Sequence, residues 1–339
     1  MKLRVGLVGL GDAWETQHRM ALRSLGDRFE VRAVCAEVAR RAEQVAGEFN
    51  ATAVDGFRAL MSRSDVDAVL LLSSQWYGSL PILAACEHGK AVYCATAFEM
   101  DPDRVHAMKQ RVEESGVAFM AEFPRRHAAA TLRLKELIAT RLGPPRLLFC
   151  HVRLLVAGGN GVVPQPAHLA SEGNELLELV DWCRYVVGSE PSWVSGLSHD
   201  AGLGRSDYQM LSLDFSPAQP GTGPLAHISC GRYMPAAWSE AIAFQPPSAL
   251  QIACENGIAF VDLPASLVWF DEAGRHVESL DSDRPVGEQL LTQFHRAVTS
   301  LVRKTGDLED AYRAIRIVST ARQSFLEGKR VKMEWLQQS

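Results

Sequence analysis

Val5-Gly6-Leu7-Val8-Gly9-Leu10-Gly11-Asp12-Ala13-Trp14 decides the fold of this chain. Its first five residues read as a buried strand, and the glycines that follow open a turn ahead of a helical segment. A dinucleotide fingerprint needs that strand–glycine–helix setting, because the glycines let the backbone approach a pyrophosphate resting on the helix N-terminus. Gly9 and Gly11 supply the first two glycines, and Trp14 takes the place of the third. Asp12 and Ala13 lie between them, and a carboxylate at Asp12 repels a diphosphate unless it points away as a helix cap. The same residues also read as a glycine-rich turn that binds nothing. With a strand on one side and a helix on the other, nucleotide binding is the favoured reading.

Outward from this stretch, the chain alternates strand-like and helix-like segments, the pattern of a parallel sheet with crossover helices. Val31-Arg32-Ala33-Val34-Cys35 is a second strand. Asp67-Ala68-Val69-Leu70-Leu71-Leu72 is apolar throughout, as strands covered on both faces tend to be. Ala91-Val92-Tyr93-Cys94 and Val117-Ala118-Phe119-Met120 follow the same logic, with helices from Ala39 to Phe49 and from Asp103 to Ser115 between strands. A helix from Ala129 to Leu142 ends at Gly143-Pro144-Pro145, which reads as a hinge between domains. After it, Arg146 to Leu155 is a long strand and Glu175 to Val187 an amphipathic helix stopped by Gly188. Strand-like runs separated by turns from Trp193 to Phe270 point to a largely antiparallel sheet. Helices from Gly287 to Arg303 and from Asp307 to Leu326 close the chain. The expectation is an α/β protein with a doubly wound parallel sheet of the Rossmann type over 1–122. An α/β domain with an open, largely antiparallel sheet follows over 123–339, its last helices free to pack back on the first domain.

Composition narrows the function classes. The chain has 339 residues, 47% apolar and 22% charged, with a formal charge of -5, which is ordinary for a globular protein with room for two cores. No basic stripe breaks the mixed charge pattern, so no nucleic-acid partner is expected. No apolar stretch is long enough to span a bilayer, and the apolar run after Met1 meets Asp12 and Glu15 too soon for a signal peptide. Seven scattered cysteines without a Cys-x-x-Cys pair fit a reduced, cytoplasmic chain. His151, His168, His199 and His227 are too dispersed for a metal signature, and no metal is expected.

Beyond the glycine turn, the second strand should end in an acid that hydrogen-bonds the adenosine ribose. That place holds Ala36, with Glu37 one residue late. Glu37 either swings in or simply opens the next helix as a favourable first-turn acid. Arg40 and Arg41, one turn on, either meet a 2′-phosphate or stand as solvated surface. Trp76 and Tyr77 follow the third strand read above, where they either stack on a ring or pack under their own loop. Arg125, Arg126 and His127 follow Glu122 at the carboxyl edge where doubly wound sheets bind ligands. The arginines either clamp a carboxylate or phosphate or form a salt bridge at a domain interface. Glu178 and Asp181, three apart, share one helical face. They are either an acid/base pair, a solvated stripe, or partners of Arg125 and Arg126.

The order of these pieces resembles the Gfo/Idh/MocA family of NAD(P)-dependent oxidoreductases over nearly the whole chain. The resemblance is carried by Val66-Asp67-Ala68-Val69, by Ala84-Ala85-Cys86-Glu87-His88-Gly89-Lys90-Ala91-Val92, and by Phe123-Pro124-Arg125-Arg126 before Leu134-Lys135-Glu136-Leu137-Ile138. Asp181-Trp182-Cys183-Arg184-Tyr185-Val186-Val187-Gly188, Ala321-Arg322-Gln323-Ser324 and Glu327-Gly328-Lys329-Arg330-Val331 extend it. It implies NAD or NADP as cofactor, a sugar- or polyol-like substrate, and a homo-oligomer built on the open sheet. It places Ser73, Ser74, Trp76 and Ala95 beside the cofactor and Tyr77, Arg125 and Arg126 beside the substrate.

The departures from the family fall mostly on chemistry. The family's Glu-Lys-Pro, whose lysine is the usual acid/base, reads here Ala95-Thr96-Ala97, and its Thr-Pro-Asn-x-x-His segment reads Ser73-Ser74-Gln75-Trp76-Tyr77-Gly78. Asp181 is retained, but Glu178 stands where the family's histidine is expected. A threonine cannot accept a proton at neutral pH, so a dehydrogenase built on this chain would draw its acceptor from Glu178, Asp181, His127 or Tyr93. The alternative is a catalytically inactive descendant that binds a ligand or a partner.

Overall fold

In the computed structural model the described residues are 2–11, 13–73, 77–95, 101–156, 172–200, 206–235, 240, 244, 246–280, 284–300 and 306–335. They form two compact units, Met1–Pro124 with Arg284–Ile315, and Arg125–Asp283 with Arg316–Ser339.

The first unit is built on six parallel strands: β1 (Leu3–Val8), β2 (Phe29–Cys35), β3 (Thr52–Ala53), β4 (Ala68–Leu71), β5 (Ala91–Cys94) and β6 (Phe119–Ala121). Their order is β3-β2-β1-β4-β5-β6, so the winding reverses between β1 and β4. Every residue of β4 and β5 is buried, because helices cover both faces of the sheet. A five-residue π-helical turn (Trp14–His18) runs into α1 (Arg19–Ser24), and α2 (Ala39–Phe49), α3 (Phe57–Met61), α4 (Leu80–Glu87) and α5 (Pro102–Ser115) make the other crossovers. Local chemistry sets the helix ends. Asn50 stops α2 in the left-handed conformation at φ 53°. Asp101 caps α5 by accepting from the backbone N–H of Asp103 at 3.0 Å, Pro102 takes its first position, and Gly116 ends it at φ 64°. Such a cap stabilises a helix by about 1 kcal/mol. From the far end of the chain, α9 (Val286–Thr299) lays Leu290, Leu291 and Phe294 into the core formed by Leu3, Val31, Leu70 and Tyr93. The two-residue β3 has no apolar run behind it, and the alternating pattern did not disclose it.

The second unit carries a nine-stranded sheet of order β14-β13-β12-β11-β7-β10-β9-β8-β15. Its strands are β7 (Pro145–Val156), β8 (Trp193–Asp200), β9 (Ser206–Asp214), β10 (Leu225–Pro235), β11 (Leu250–Cys254), β12 (Ile258–Asp262), β13 (Ser266–Asp271), β14 (Gly274–Ser279) and β15 (Val331–Lys332). Only β7 and β10 run parallel, and every other pairing is antiparallel. The short α6 (Pro124–His127) leads into α7 (Ala129–Leu137), which tightens into a π-helical turn (Ile138–Leu142) ended by Gly143 at φ 72°. The unit boundary lies before α7, at Pro124 and Arg125, so the hinge expected at Gly143-Pro144-Pro145 is not there. Pro145 instead opens β7, where the first residue of a strand tolerates proline. α8 (Glu172–Val187) and the last part of α10 (Gly306–Glu327) complete this unit.

Strand alternation divides the second sheet into a covered and an open face. Leu148, Cys150, Leu211, Ile228, Ile252 and Val261 are buried. The intervening positions Leu197, Phe149, Phe270 and Val277 stay 37% or more exposed, joined through Met210, Ser229 and Phe260 by strand pairing. No helix among the described residues is long and apolar enough to cross a membrane.

Candidate functional site

The strand–turn–helix that opens the chain is where geometry first constrains function. Gly9 sits at φ 71°, a conformation side chains rarely adopt, and its N–H donates to the Cys35 carbonyl at 2.8 Å. A Cβ at Gly11 would stand 2.0 Å from the Leu72 carbonyl oxygen, and one at Gly9 would stand 2.8 Å from Ser73 Cβ. Both glycines therefore serve the close approach of the turn to the end of β4. The turn opens at the β1–β4 reversal, the crevice in which doubly wound sheets hold ligands. A strand–glycine–helix path at this reversal is the setting in which dinucleotides are held. Ala13 lies in the same turn, while the Trp14 side chain is fully buried in the core, its ring centroid 6.0 Å from that of Phe49. The Trp14 N–H bonds the Gly11 carbonyl at 3.1 Å, so neither the ring nor the amide of Trp14 is presented to a cofactor. That corrects its place among the expected contacts: its size drives it into the apolar core, and a π-helical turn accommodates it.

At the end of β2, Ala36 is half-buried and Glu37 and Arg40 are exposed. Tyr77 returns to this edge, its hydroxyl 3.8 Å from Cys35 Sγ and its ring edge-on to Phe57 at 4.7 Å. Burial, reinforced by the Cys35 thiol, pushes the Tyr77 phenol up to about 12, so it stays protonated at neutral pH. Ala95 continues the ladder by donating to the Leu71 carbonyl at 2.9 Å. Asp12, Ser74, Trp76 and Thr96 lie outside the described residues.

Sequence reasoning missed a cluster just past the ends of β5 and β6. Glu122 is 5% exposed and accepts from Tyr93 Oη at 2.7 Å and from Gln17 Nε2. His18 Nε2 meets the same carboxylate at 2.8 Å, while His18 Nδ1 is buried without a partner. Burial pushes the Glu122 carboxyl up, but the charge and hydrogen bond of His18, with those of Tyr93 and Gln17, hold it below the usual range. Burial first, and then the Glu122 carboxylate, raise the Tyr93 phenol well above its ordinary value. Tyr93 is fully buried and donates to Glu122, so it is no proton acceptor. A partial signal was legible: parallel pairing sets Tyr93 beside Met120, two residues before an acid at the end of an apolar strand. His18 had no such signal, being far away in sequence.

In the second unit, α6 and α8 bring the expected charges together. Arg125 meets Glu175, and its Nε lies 3.3 Å from Glu178 Oε2. Arg126 grips Asp181 through two nitrogens, Nε at 2.6 Å, with its guanidinium 5.2 Å over the Tyr185 ring. Arg184 adds a contact to Asp181 at 3.2 Å and a bidentate pair with Glu190 at 2.7 and 2.6 Å. Trp182 underlies Arg125 at 5.5 Å and donates to Thr131 Oγ1 at 3.0 Å. Spacing explains the cluster: positions 175, 178 and 181 share one face of α8, opposite two consecutive arginines of α6. The two carboxylates differ in access. Asp181 is 1% exposed between two guanidiniums, whereas Glu178 is 33% exposed. The expectation of an acid/base pair is corrected for Asp181, because a buried anion held by two guanidiniums is a poor proton acceptor. His127 ends α6 half-buried. No cluster of three metal-binding side chains occurs among the described residues.

A doubly wound sheet with a glycine turn at its winding reversal defines a dinucleotide-binding class of protein. Residues 3–123 match the family described as "Oxidoreductase family, NAD-binding Rossmann fold", so this domain is similar to the Gfo/Idh/MocA family. The chain is 28% identical over 193 residues to inositol 2-dehydrogenase 3 of Saccharopolyspora erythraea, covering 56% of this chain and 55% of that protein. It is 26% identical over 217 residues to 1,5-anhydro-D-fructose reductase of Ensifer adhaerens, covering 60% and 62%. The chain thus spans little more than half the length of the curated relatives it matches. Its fold is similar to that of levoglucosan dehydrogenase in complex with NADH and levoglucosan, with a TM-score of 0.82 at 16% identity, covering 98% of this chain and 99% of that one.

Proposed function

We propose that the chain is an NAD(P)-dependent oxidoreductase acting on a sugar- or polyol-like small molecule, with a carboxylate replacing the family's lysine. The observation that carries this reading is the turn at Gly9 and Gly11, packed against the end of β4 at the winding reversal. Relatives named as inositol dehydrogenase and anhydrofructose reductase support the substrate class. When bound, the nicotinamide is the hydride carrier, and the chain itself must orient the substrate and take up a proton. Gly11 and Ala13 offer backbone N–H groups to the diphosphate while Gly9 shapes the turn, Ser73 and Ala95 line the cleft, and Glu37 and Arg40 flank the adenosine. Glu178 is the proton acceptor, since it is the more accessible carboxylate of the α8 face. Arg125 and Arg126 position the substrate and the carboxylates, and His127 contributes a hydrogen bond. Tyr77 shifts from the substrate to the adenosine side, because it packs on Cys35 and Phe57.

The exposed apolar positions of the open sheet face support a homo-oligomer formed through that face. All seven cysteines are free, including Cys150 and Cys183 with their sulfurs 3.4 Å apart, which supports a reducing, cytoplasmic setting. Calorimetric titration with NAD(H) and NADP(H), followed by single-turnover hydride transfer with a panel of polyols, aldoses and sugar acids, tests the function. Failure to bind either nucleotide at millimolar concentration would refute it.

A further inference from the structure

Behind α8, the second unit holds a pocket of about 400 Å³ that the oxidoreductase reading does not use. Leu176 stands nearly opposite Glu175, Glu178 and Asp181 around the helix, and it turns toward the sheet instead. With Leu211 of β9 and Val318 and Ala321 of α10 it makes a buried apolar floor. Backbone contacts fix the walls. A Cβ at Gly196 of β8 would stand 2.1 Å from the Ala321 carbonyl oxygen, and the Gly196 N–H donates to Ser324 Oγ at 3.1 Å. α10 is therefore seated directly on β8, and the space beside it is a fixed feature of the packing. Phe325 and Leu326 of its last turn form the rim, and Leu326 is 82% exposed. The lining also holds Ser198, Gln209 and Arg322. Among the described residues, the side chains of Gln209 and Arg322 make no hydrogen bond or ion pair. Nearby carboxylates are already matched: Glu175 meets Arg125, Asp207 meets His199 at 2.7 Å, and Glu327 meets Lys329 at 2.9 Å. The exposed Arg322 thus brings an uncompensated charge to an apolar pocket.

We propose that this pocket binds a small amphipathic carboxylate, its aliphatic chain on Leu176, Leu211 and Val318 and its head group on Arg322 and Gln209. Charge selects the head group, because a guanidinium pairs a carboxylate through charge-assisted hydrogen bonds and the amide adds a donor. Volume selects the tail. A cavity of about 150 Å³ holds one benzene ring, so this one holds roughly a dozen non-hydrogen atoms, the size of a ten-carbon fatty acid. The occupant lies against the back of α8, which makes this a second site, distinct from the carboxylates on the other face of that helix.

The test is calorimetry on the full chain with decanoate, octanoate, hexanoate and decanol, each below its micelle-forming concentration. Decanoate should bind most tightly, and each methylene removed should weaken binding about fourfold. Decanoate should exceed decanol by about tenfold, an advantage that shrinks with added salt. Arg322→Ala should weaken decanoate by roughly tenfold and leave decanol within about twofold. Leu326→Ser should weaken both by about fivefold or more. Both substituted positions are exposed, so thermal midpoints should stay at the wild-type value. No decanoate binding at millimolar concentration, affinity that ignores chain length, or wild-type binding by Arg322→Ala would each overturn the proposal. A wild-type dimer that Leu326→Ser dissociates in sedimentation velocity would put a second copy on the pocket and overturn it as well.

Discussion

The carboxylate of Glu122 in the first unit and those of α8 in the second are both surrounded by donors, yet they end in opposite conditions. Glu122 is a single anion sealed at 5% exposure by a histidine, a tyrosine and a glutamine drawn from three parts of the chain. The α8 carboxylates come from one helix face and meet arginines, and the cluster leaves Glu178 within reach of solvent. Sealing turns a carboxylate into a structural tie, because removing its charge leaves buried donors unmatched. An anion with one flank open keeps its capacity to exchange a proton. Chemistry is therefore expected in the second cluster, and pH-dependent stability in the first.

The contrast within α8 should give the largest effect. Asp181→Asn leaves Arg126 without its anion and Arg184 with Glu190 alone, and breaking a largely buried pair in this way costs about 3 kcal/mol. The expected result is a large drop in the denaturation midpoint of the second unit, and an unchanged midpoint would break the assignment of Asp181 as structural. Glu122→Gln should cost the first unit roughly 3 kcal/mol by the same logic. The sign of its pH dependence follows from the lowered folded-state carboxyl. Its contribution is complete above the unfolded carboxyl value, about 4.3, and fades as pH falls through the lower folded value. The variant should therefore show a flatter acid limb in stability measured against pH. An acid limb as steep as the wild type's would show that the cluster is not what titrates.

Glu178→Gln sharpens the comparison from the functional side. It should reduce single-turnover hydride transfer about 10²-fold and leave stability nearly unchanged. The remaining activity should lose its carboxylate-dependent rise with pH, and wild-type rates in the variant would remove Glu178 from the chemistry. The smallest expected effect on folding belongs to the open sheet face. Phe149, 41% exposed, should tolerate Phe149→Arg within about 0.5 kcal/mol of unfolding free energy, while the homo-oligomer proposed above should dissociate in sedimentation velocity. An assembly that survives this change would have to use another surface.

Much of the architecture was readable residue by residue. Apolar runs such as Ala68–Leu71 and Ala91–Cys94 read as strands buried on both faces, and their alternation with helices implied a parallel, doubly wound sheet. The glycines of the first turn, the arginines of α6 and the acids of α8 were likewise visible, because each depends on spacing within a few residues. Which alternative each site adopts was not visible. Trp14 could have faced a cofactor, and packing against Phe49 placed it in the core instead. Asp181 and Glu178 looked equivalent three residues apart, and the arginines around them made one a structural anion and left the other accessible. The Glu122–His18 pair joins positions 104 residues apart, and no local pattern encodes a contact of that range. Periodicity and turn chemistry act over a few residues, so the sequence by itself determined the elements and their layering. Burial and partnership of charges depend on segments brought together from across the chain, so only the tertiary structure decided which carboxylates are sealed, which arginines stay unpaired, and where chemistry remains possible.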